Sequence, residues 1–335
     1  MTLLAGFQHQ DVPLLLGDFM ILAGPQAYTR KKVHLISSNL AVGWTGHVFL
    51  AKPILRDLYR MFNGTRVSQQ ELENFLTGYP IPNPSSMLVH LVGWIADDEP
   101  RCFLWNSSFP SQLFYEPYHV DGSGSNAFEN VLKSEEHFAI QGPPPSNIDE
   151  AIYFALFKAT ALMSDEVLSK ANRKIGFGYG YELLYLDGNE FKFVDDVLYS
   201  TWEFYYDLNS KGGNVRFYPT VYKYRSFDYY SVIQTYSFRS KTTEFNIVTP
   251  VFDDMPNVFS KIPGVDVAKG VGFPLTSRWY CLYFRFQASD NTRATGSLVF
   301  PVAQPNSPFH IDKVDGKESL YFKFDFLQTL YRLFK

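Results

Sequence analysis

Cysteine is nearly missing from this chain. Only Cys102 and Cys281 occur in 335 residues, far apart and without metal-ligand spacing. That excludes a disulfide framework and reads as two core thiols in a reducing compartment. Long apolar runs are missing as well: none approaches the roughly 20 residues that a membrane span needs. The start, Met1-Thr2-Leu3-Leu4, carries neither the basic nor the hydrophobic region of a signal peptide. Charge of one sign is not in excess. The formal net charge is −4, with acids and bases interspersed, which leaves no electrostatic footprint for nucleic acid. The expectation is a cytoplasmic protein with no nucleic-acid or membrane partner, no metal and no cofactor. What the chain does have is aromatic residues, 17% of the total, concentrated toward the C-terminal side.

Hydrophobic periodicity divides the chain in two. Thr2 to Gln8 and Asp11 to Ala23 read as short apolar strands around a polar turn at His9-Gln10-Asp11. Lys32 to Ile36 and Leu40 to Trp44 form another pair. Val48, Ala51, Ile54, Leu55, Leu58 and Phe62 then recur at three and four, predicting an amphipathic helix over 47–62 with Pro53 inside it. Ser68 and Glu71 are spaced as a capping box for a helix over 68–76. Met87 to Ala96 and Arg101 to Asn106 form a hairpin, Asp149 to Leu168 is the longest helix, and Asp187-Gly188-Asn189 joins a last hairpin. This order fits antiparallel sheets covered by helices. From about Ser200 the segments are short, aromatic or β-branched, with no long helix before Leu320. The division is residues 1–198 and a mostly-β module of unknown role at 199–335.

Thr2 is the residue with the most chemistry in prospect. If Met1 is removed, Thr2 carries a hydroxyl and a free α-amine on one residue, a nucleophile with its own base attached. Downstream lie Asp18 in Leu14-Leu15-Leu16-Gly17-Asp18, Lys32 in Lys32-Val33-His34-Leu35-Ile36, Gly46 at the end of Leu40 to Gly46, and Gly122-Ser123-Gly124-Ser125.

In order and spacing, these segments make residues 2–195 resemble the proteasome β-subunit family of N-terminal-nucleophile hydrolases, including the bacterial two-ring peptidases. The hairpin acids Asp97-Asp98-Glu99-Pro100 and the segment Tyr115-Glu116-Pro117-Tyr118 belong to the same likeness. The resemblance implies an α+β fold, a four-layer αββα sandwich of two antiparallel sheets, here with an appended mostly-β C-terminal module. It implies a threonine-type peptidase in which Thr2 is the nucleophile and Lys32 lowers the effective pKa of the hydroxyl–amine pair. Asp18 would orient Lys32, Ser123 would bond near the Thr2 amine, and the Gly46 N–H would meet the oxyanion. Trp44 and Lys52 would face the specificity pocket, Lys52 favouring an acidic or polar side chain. The implied substrate is peptide or unfolded protein. Copies of the chain would assemble into rings, with room for a regulator or an ATPase as partner.

Three departures stand out. The segment from Asp18 to Lys32 is about two residues short, so Lys31 or Lys32 could be the matching lysine. The family's further Asp, before a turn after the long helix, is absent from Lys174-Ile175-Gly176-Phe177-Gly178-Tyr179-Gly180 unless Asp165 or Glu182 reaches in. The expectation is that the family's usual propeptide is absent, so that exposure of Thr2 rests on removal of Met1. The alternatives are a catalytically inactive scaffold whose β-rich module binds a partner, or an amidase acting on a non-peptide amide. His34 and His119 read as packed or surface residues, and Asp195-Asp196 as a solvated pair.

Overall fold

The strand Val12–Asp18 is buried at all seven positions, and the layers can be followed outward from it. The computed structural model describes residues 2–23, 26–81, 87–133, 146–169, 174, 176–216, 220–237, 239–252, 265, 272–301, 309–314 and 317–335. Val12–Asp18 is central in a first antiparallel sheet, in the order His119–Asp121, Leu4–His9, Val12–Asp18, Tyr181–Asp187, Glu190–Phe193. Successive side chains take opposite faces, as the pleat requires. Leu14 and Leu16 join one core and Leu15 another. Gln10 and Asp11 both have positive φ, 51° and 60°, the backbone of a tight hairpin whose twist matches its strands.

A second antiparallel sheet, Val33–Ser37, Leu40–Gly46, Val89–Ala96, Pro100–Asn106 and Leu113–Tyr115, covers the Leu15 face. Val33, Ala41, Val92 and Trp94 share that core with Leu4, Leu15 and Leu184. On the far side of the second sheet, the helices Val48–Phe62 and Gln69–Thr77 pack with Leu40, Val42 and Trp44. The capping box forms: Ser68 Oγ accepts from the Glu71 N–H at 3.3 Å, and Glu71 returns the bond to the Ser68 N–H at 2.8 Å.

The helix Asn147–Ser169 is apolar around most of its circumference, the pattern of a helix enclosed on more than one side. One side packs on Leu14, Leu16 and Tyr185 of the first sheet. The other packs on Val197, Tyr199, Cys281 and Val299 of a third sheet. That sheet has seven strands, with the path Thr242–Val248, Ser231–Ser237, Thr220–Ser226, Val197–Asp207, Trp279–Ala288, Arg293–Pro301, and Gly212–Val215 paired to Val197–Asp207. Its pairs are antiparallel except Val197–Asp207 with Trp279–Ala288, which run parallel. The helix Phe324–Phe334 closes its outer face through Phe326, Leu327 and Leu330.

The expected class, an α+β four-layer αββα sandwich with an appended module, is therefore corrected. The protein is mostly β, 47% strand against 24% helix, with several antiparallel sheets and five helices among the described residues. The physical reason is the long helix. It does not end the stack as an outer layer but is sandwiched between two sheets, so the aromatic strands of the C-terminal half complete its core. A smaller correction lies at Asp18. The strand expected over 11–23 breaks there, because the Asp18 carboxylate accepts from the Met20 N–H at 3.3 Å, and Met20–Ala23 leaves to pair with Gln26–Thr29.

Candidate active site

Pairing of Leu4 with Gly17 brings the start of one strand beside the end of the next, which sets Thr2 and Leu3 against Asp18. The Leu3 N–H donates to Asp18 Oδ1 at 2.9 Å, and the Asp18 N–H donates to Leu3 O at 3.1 Å. Thr2 Oγ1 donates to the same carboxylate oxygen at 2.6 Å. Lys32 precedes the first strand of the second sheet, and its side chain crosses to the first. There its Nζ donates to Asp18 Oδ1 at 2.7 Å and also to Thr2 Oγ1. All three residues are buried. Asp18 Oδ2 accepts from the Gly178 N–H at 2.7 Å as well as from Met20. A buried charge is tolerable only when paired and hydrogen-bonded, and this carboxylate meets both conditions. Burial lowers the Lys32 pKa from its ordinary value, more than the neighbouring Asp18 charge restores it.

The turn after His119–Asp121 supplies Ser123. Its Oγ accepts from Thr2 N at 3.1 Å, while the Gly124 N–H donates to Thr2 O at 3.0 Å. Gly122 makes this approach possible. At φ +95° a Cβ would sit 2.2 Å from Thr2 O, so only glycine fits without moving the turn. Gly122→Ala is expected to displace Ser123 from the Thr2 nitrogen and to cost about 1–3 kcal/mol in backbone strain. Urea unfolding together with a structure of the variant would measure both effects; a variant with wild-type stability and an unmoved Ser123 would remove the turn from the site.

Of the two candidate lysines, Lys32 is the one at Thr2. Lys31 turns instead to Glu182, with Nζ–Oε1 2.8 Å. Glu182 is thus engaged away from the glycine-rich turn. The residue that does reach that turn is Glu166, whose Oε1 accepts from the Tyr179 N–H at 3.0 Å. The side chain of Asp165 lies outside the described residues. Gly46 ends its strand at φ +96° and is exposed; no hydrogen bond joins it to Thr2 among the described residues. Trp44 is only 2% exposed, sits in the core of the second sheet, and donates from Nε1 to Lys31 O at 3.3 Å. It therefore pins the backbone beside Lys32. Lys52 lies on the helix Val48–Phe62, partly exposed. His34 and His119 are buried. Asp195 and Asp196 are partly exposed, and each has a cationic partner: Asp195 bonds Arg225 at 3.1 Å, and Asp196 lies 2.8 Å from Lys223 Nζ.

One group near the turn escaped the reading of the sequence. Asp121, two residues before Ser123, accepts from Thr45 Oγ1 and lies 2.9 Å from His90 Nδ1. Burial alone would raise the Asp121 pKa, but the hydrogen bonds from His90 and Thr45 outweigh it and hold the carboxyl below its usual range. The contact ties the strand ending at Gly46 to the turn that holds Ser123. No local pattern announces it, since the three residues come from three separate strands. Among the described residues, no three His, Cys, Asp or Glu side chains gather so as to hold a metal ion, and no helix is long and apolar enough to cross a membrane.

No protein-family model matches the chain, and no curated protein matches it.

Proposed function

We propose that the protein is an N-terminal threonine hydrolase that cleaves peptide bonds once the Met1–Thr2 bond has been cut. The observation that carries this is the contact set of Thr2. Its hydroxyl lies between the Asp18 carboxylate at 2.6 Å and the Lys32 amine, and its nitrogen lies 3.1 Å from Ser123 Oγ. In the reaction, Thr2 Oγ attacks the substrate carbonyl carbon while its proton passes to the α-amine. The C–N bond breaks, the leaving amine takes that proton, and water hydrolyses the ester left on Thr2. Lys32 stabilises negative charge developing on Oγ, and Asp18 holds Lys32 in place. A reducing compartment such as the cytoplasm suits the two buried free thiols, Cys102 and Cys281. The same residues carry the likeness to proteasome β-subunits, and the reading takes over their chemistry without their layer architecture.

One observation favours a second reading, a non-catalytic scaffold. Thr2 is only 2% exposed, which a substrate would have to overcome. Intact mass of the purified protein, before and after incubation with a β-lactone, separates the two. The hydrolase reading expects loss of Met1 and one adduct, mapped to Thr2. A protein that keeps Met1, or that exposes Thr2 and takes no adduct, is a scaffold.

A further inference from the structure

Lys31 and Lys32 are consecutive, both buried, and engaged with different carboxylates. Lys31 Nζ donates to Glu182 Oε1 at 2.8 Å, to Ser231 Oγ at 2.9 Å and to Phe227 O at 3.0 Å, and it sits 3.9 Å from the centre of the Phe193 ring. Its backbone is held as firmly. The Lys31 N–H donates to Thr249 O at 2.9 Å, and its carbonyl accepts from Trp44 Nε1. Ser231, Phe227 and Thr249 all belong to the third sheet or its connections. Glu182 pairs with Gly17, beside Asp18.

Asp18 is secured in a parallel way. Its neighbour Phe19 stacks on Tyr224 of the third sheet, ring centres 6.0 Å apart. Gly180, at φ +99°, lets that tyrosine approach to where a Cβ would meet its hydroxyl at 1.9 Å. Each of the two residues that hold Thr2 therefore has a sequence neighbour gripped by the C-terminal half.

The geometry points to Lys31, with Glu182 and Ser231, as a positioning residue for Lys32, and to the third sheet as part of the apparatus that activates Thr2. This rests on the threonine-hydrolase reading. The Lys31 amine bonds Glu182, Ser231 and Phe227 O and not Thr2. It fixes the extended backbone from which Lys32 reaches Thr2, so its loss lets the Lys32 amine drift. A displacement of about 1 Å at a reacting group can cost about 100-fold in rate.

The test compares wild type, Ser231→Ala, Ser231→Thr and the double variant Lys31→Met/Glu182→Gln, which removes both charges together. Each is assayed for β-lactone labelling of Thr2, peptide kcat and KM, and urea unfolding. Labelling rate and kcat are expected to fall about 10- to 100-fold in the double variant and less in Ser231→Ala, with KM unchanged and Ser231→Thr restoring the rate. Folded variants that label at the wild-type rate, or that lose KM alone, overturn the positioning role while leaving the hydrolase reading intact. Wild-type protein that takes no label overturns the hydrolase reading itself, and this inference with it. Should the double variant fail to fold, the serine pair decides, because it unpairs no charge.

Discussion

Thr2→Ala is expected to lose all β-lactone adduct and peptide turnover, a fall on the order of a millionfold in kcat, while remaining folded. The hydroxyl is the only atom of Thr2 that bonds both Asp18 and Lys32. Without it, Asp18 still accepts from Lys32 and from the Leu3, Met20 and Gly178 N–H groups, so no buried charge is stranded. The stability lost should be about 1 kcal/mol, the net contribution of one hydrogen bond. Thr2→Ser keeps the hydroxyl and should keep turnover. The measurement is peptide hydrolysis beside urea unfolding. Residual turnover in a folded Thr2→Ala protein would transfer the chemistry to another residue.

The second large effect is sensitivity to acid. His34 is buried on the first strand of the second sheet, against the Phe252 ring. Burial, reinforced by the Lys31 charge, pushes its pKa down to about 3. An imidazole in the unfolded chain protonates near pH 6.5. Between those values the unfolded state binds a proton that the folded state refuses. Stability therefore falls as pH drops through that window, by about 1.4 kcal/mol per unit and about 5 kcal/mol in all. Above pH 6.5 the effect is absent. His34→Leu, which cannot titrate, should flatten the decline, and urea midpoints at pH 7, 5.5 and 4 would measure it. Parallel pH dependence in wild type and His34→Leu would mean that His34 is not the group responsible.

Local rules in the sequence reached a long way into the structure. The capping box at Ser68 and Glu71, the helix over 47–62 and the hairpin across Gly188 rest on neighbours in the chain, and they form. Thr2, Asp18, Lys32 and Ser123 also meet, and the register of the one tight hairpin, Leu4–His9 with Val12–Asp18, nearly forces the first pair together. What failed was non-local. The all-round apolarity of the helix Asn147–Ser169 marks it as enclosed, but it does not say that strands beginning at Val197 and Trp279 cover the second face, and that omission produced the wrong fold class. Helix rotation decides that Glu166 turns toward Tyr179. The partners of Trp44 were not legible for a similar reason. Alternation marks it as facing one side of its strand, but not that a helix covers that side.

The parallel pairing of Val197–Asp207 with Trp279–Ala288 bears on how the molecule is made. A contact between strands so far apart in sequence cannot form until the later one has been synthesised, and closing so long a loop is slow. Residues near the N-terminus depend on that sheet, since Lys31 bonds Ser231 and Thr249 and Phe19 stacks on Tyr224. Thr2 precedes that sheet in the chain, so the grip on Lys31 and Phe19 comes after Thr2, Asp18 and Lys32 have been made. A nascent chain thus carries the Thr2, Asp18 and Lys32 contacts without the support of that sheet until its later strands have been made.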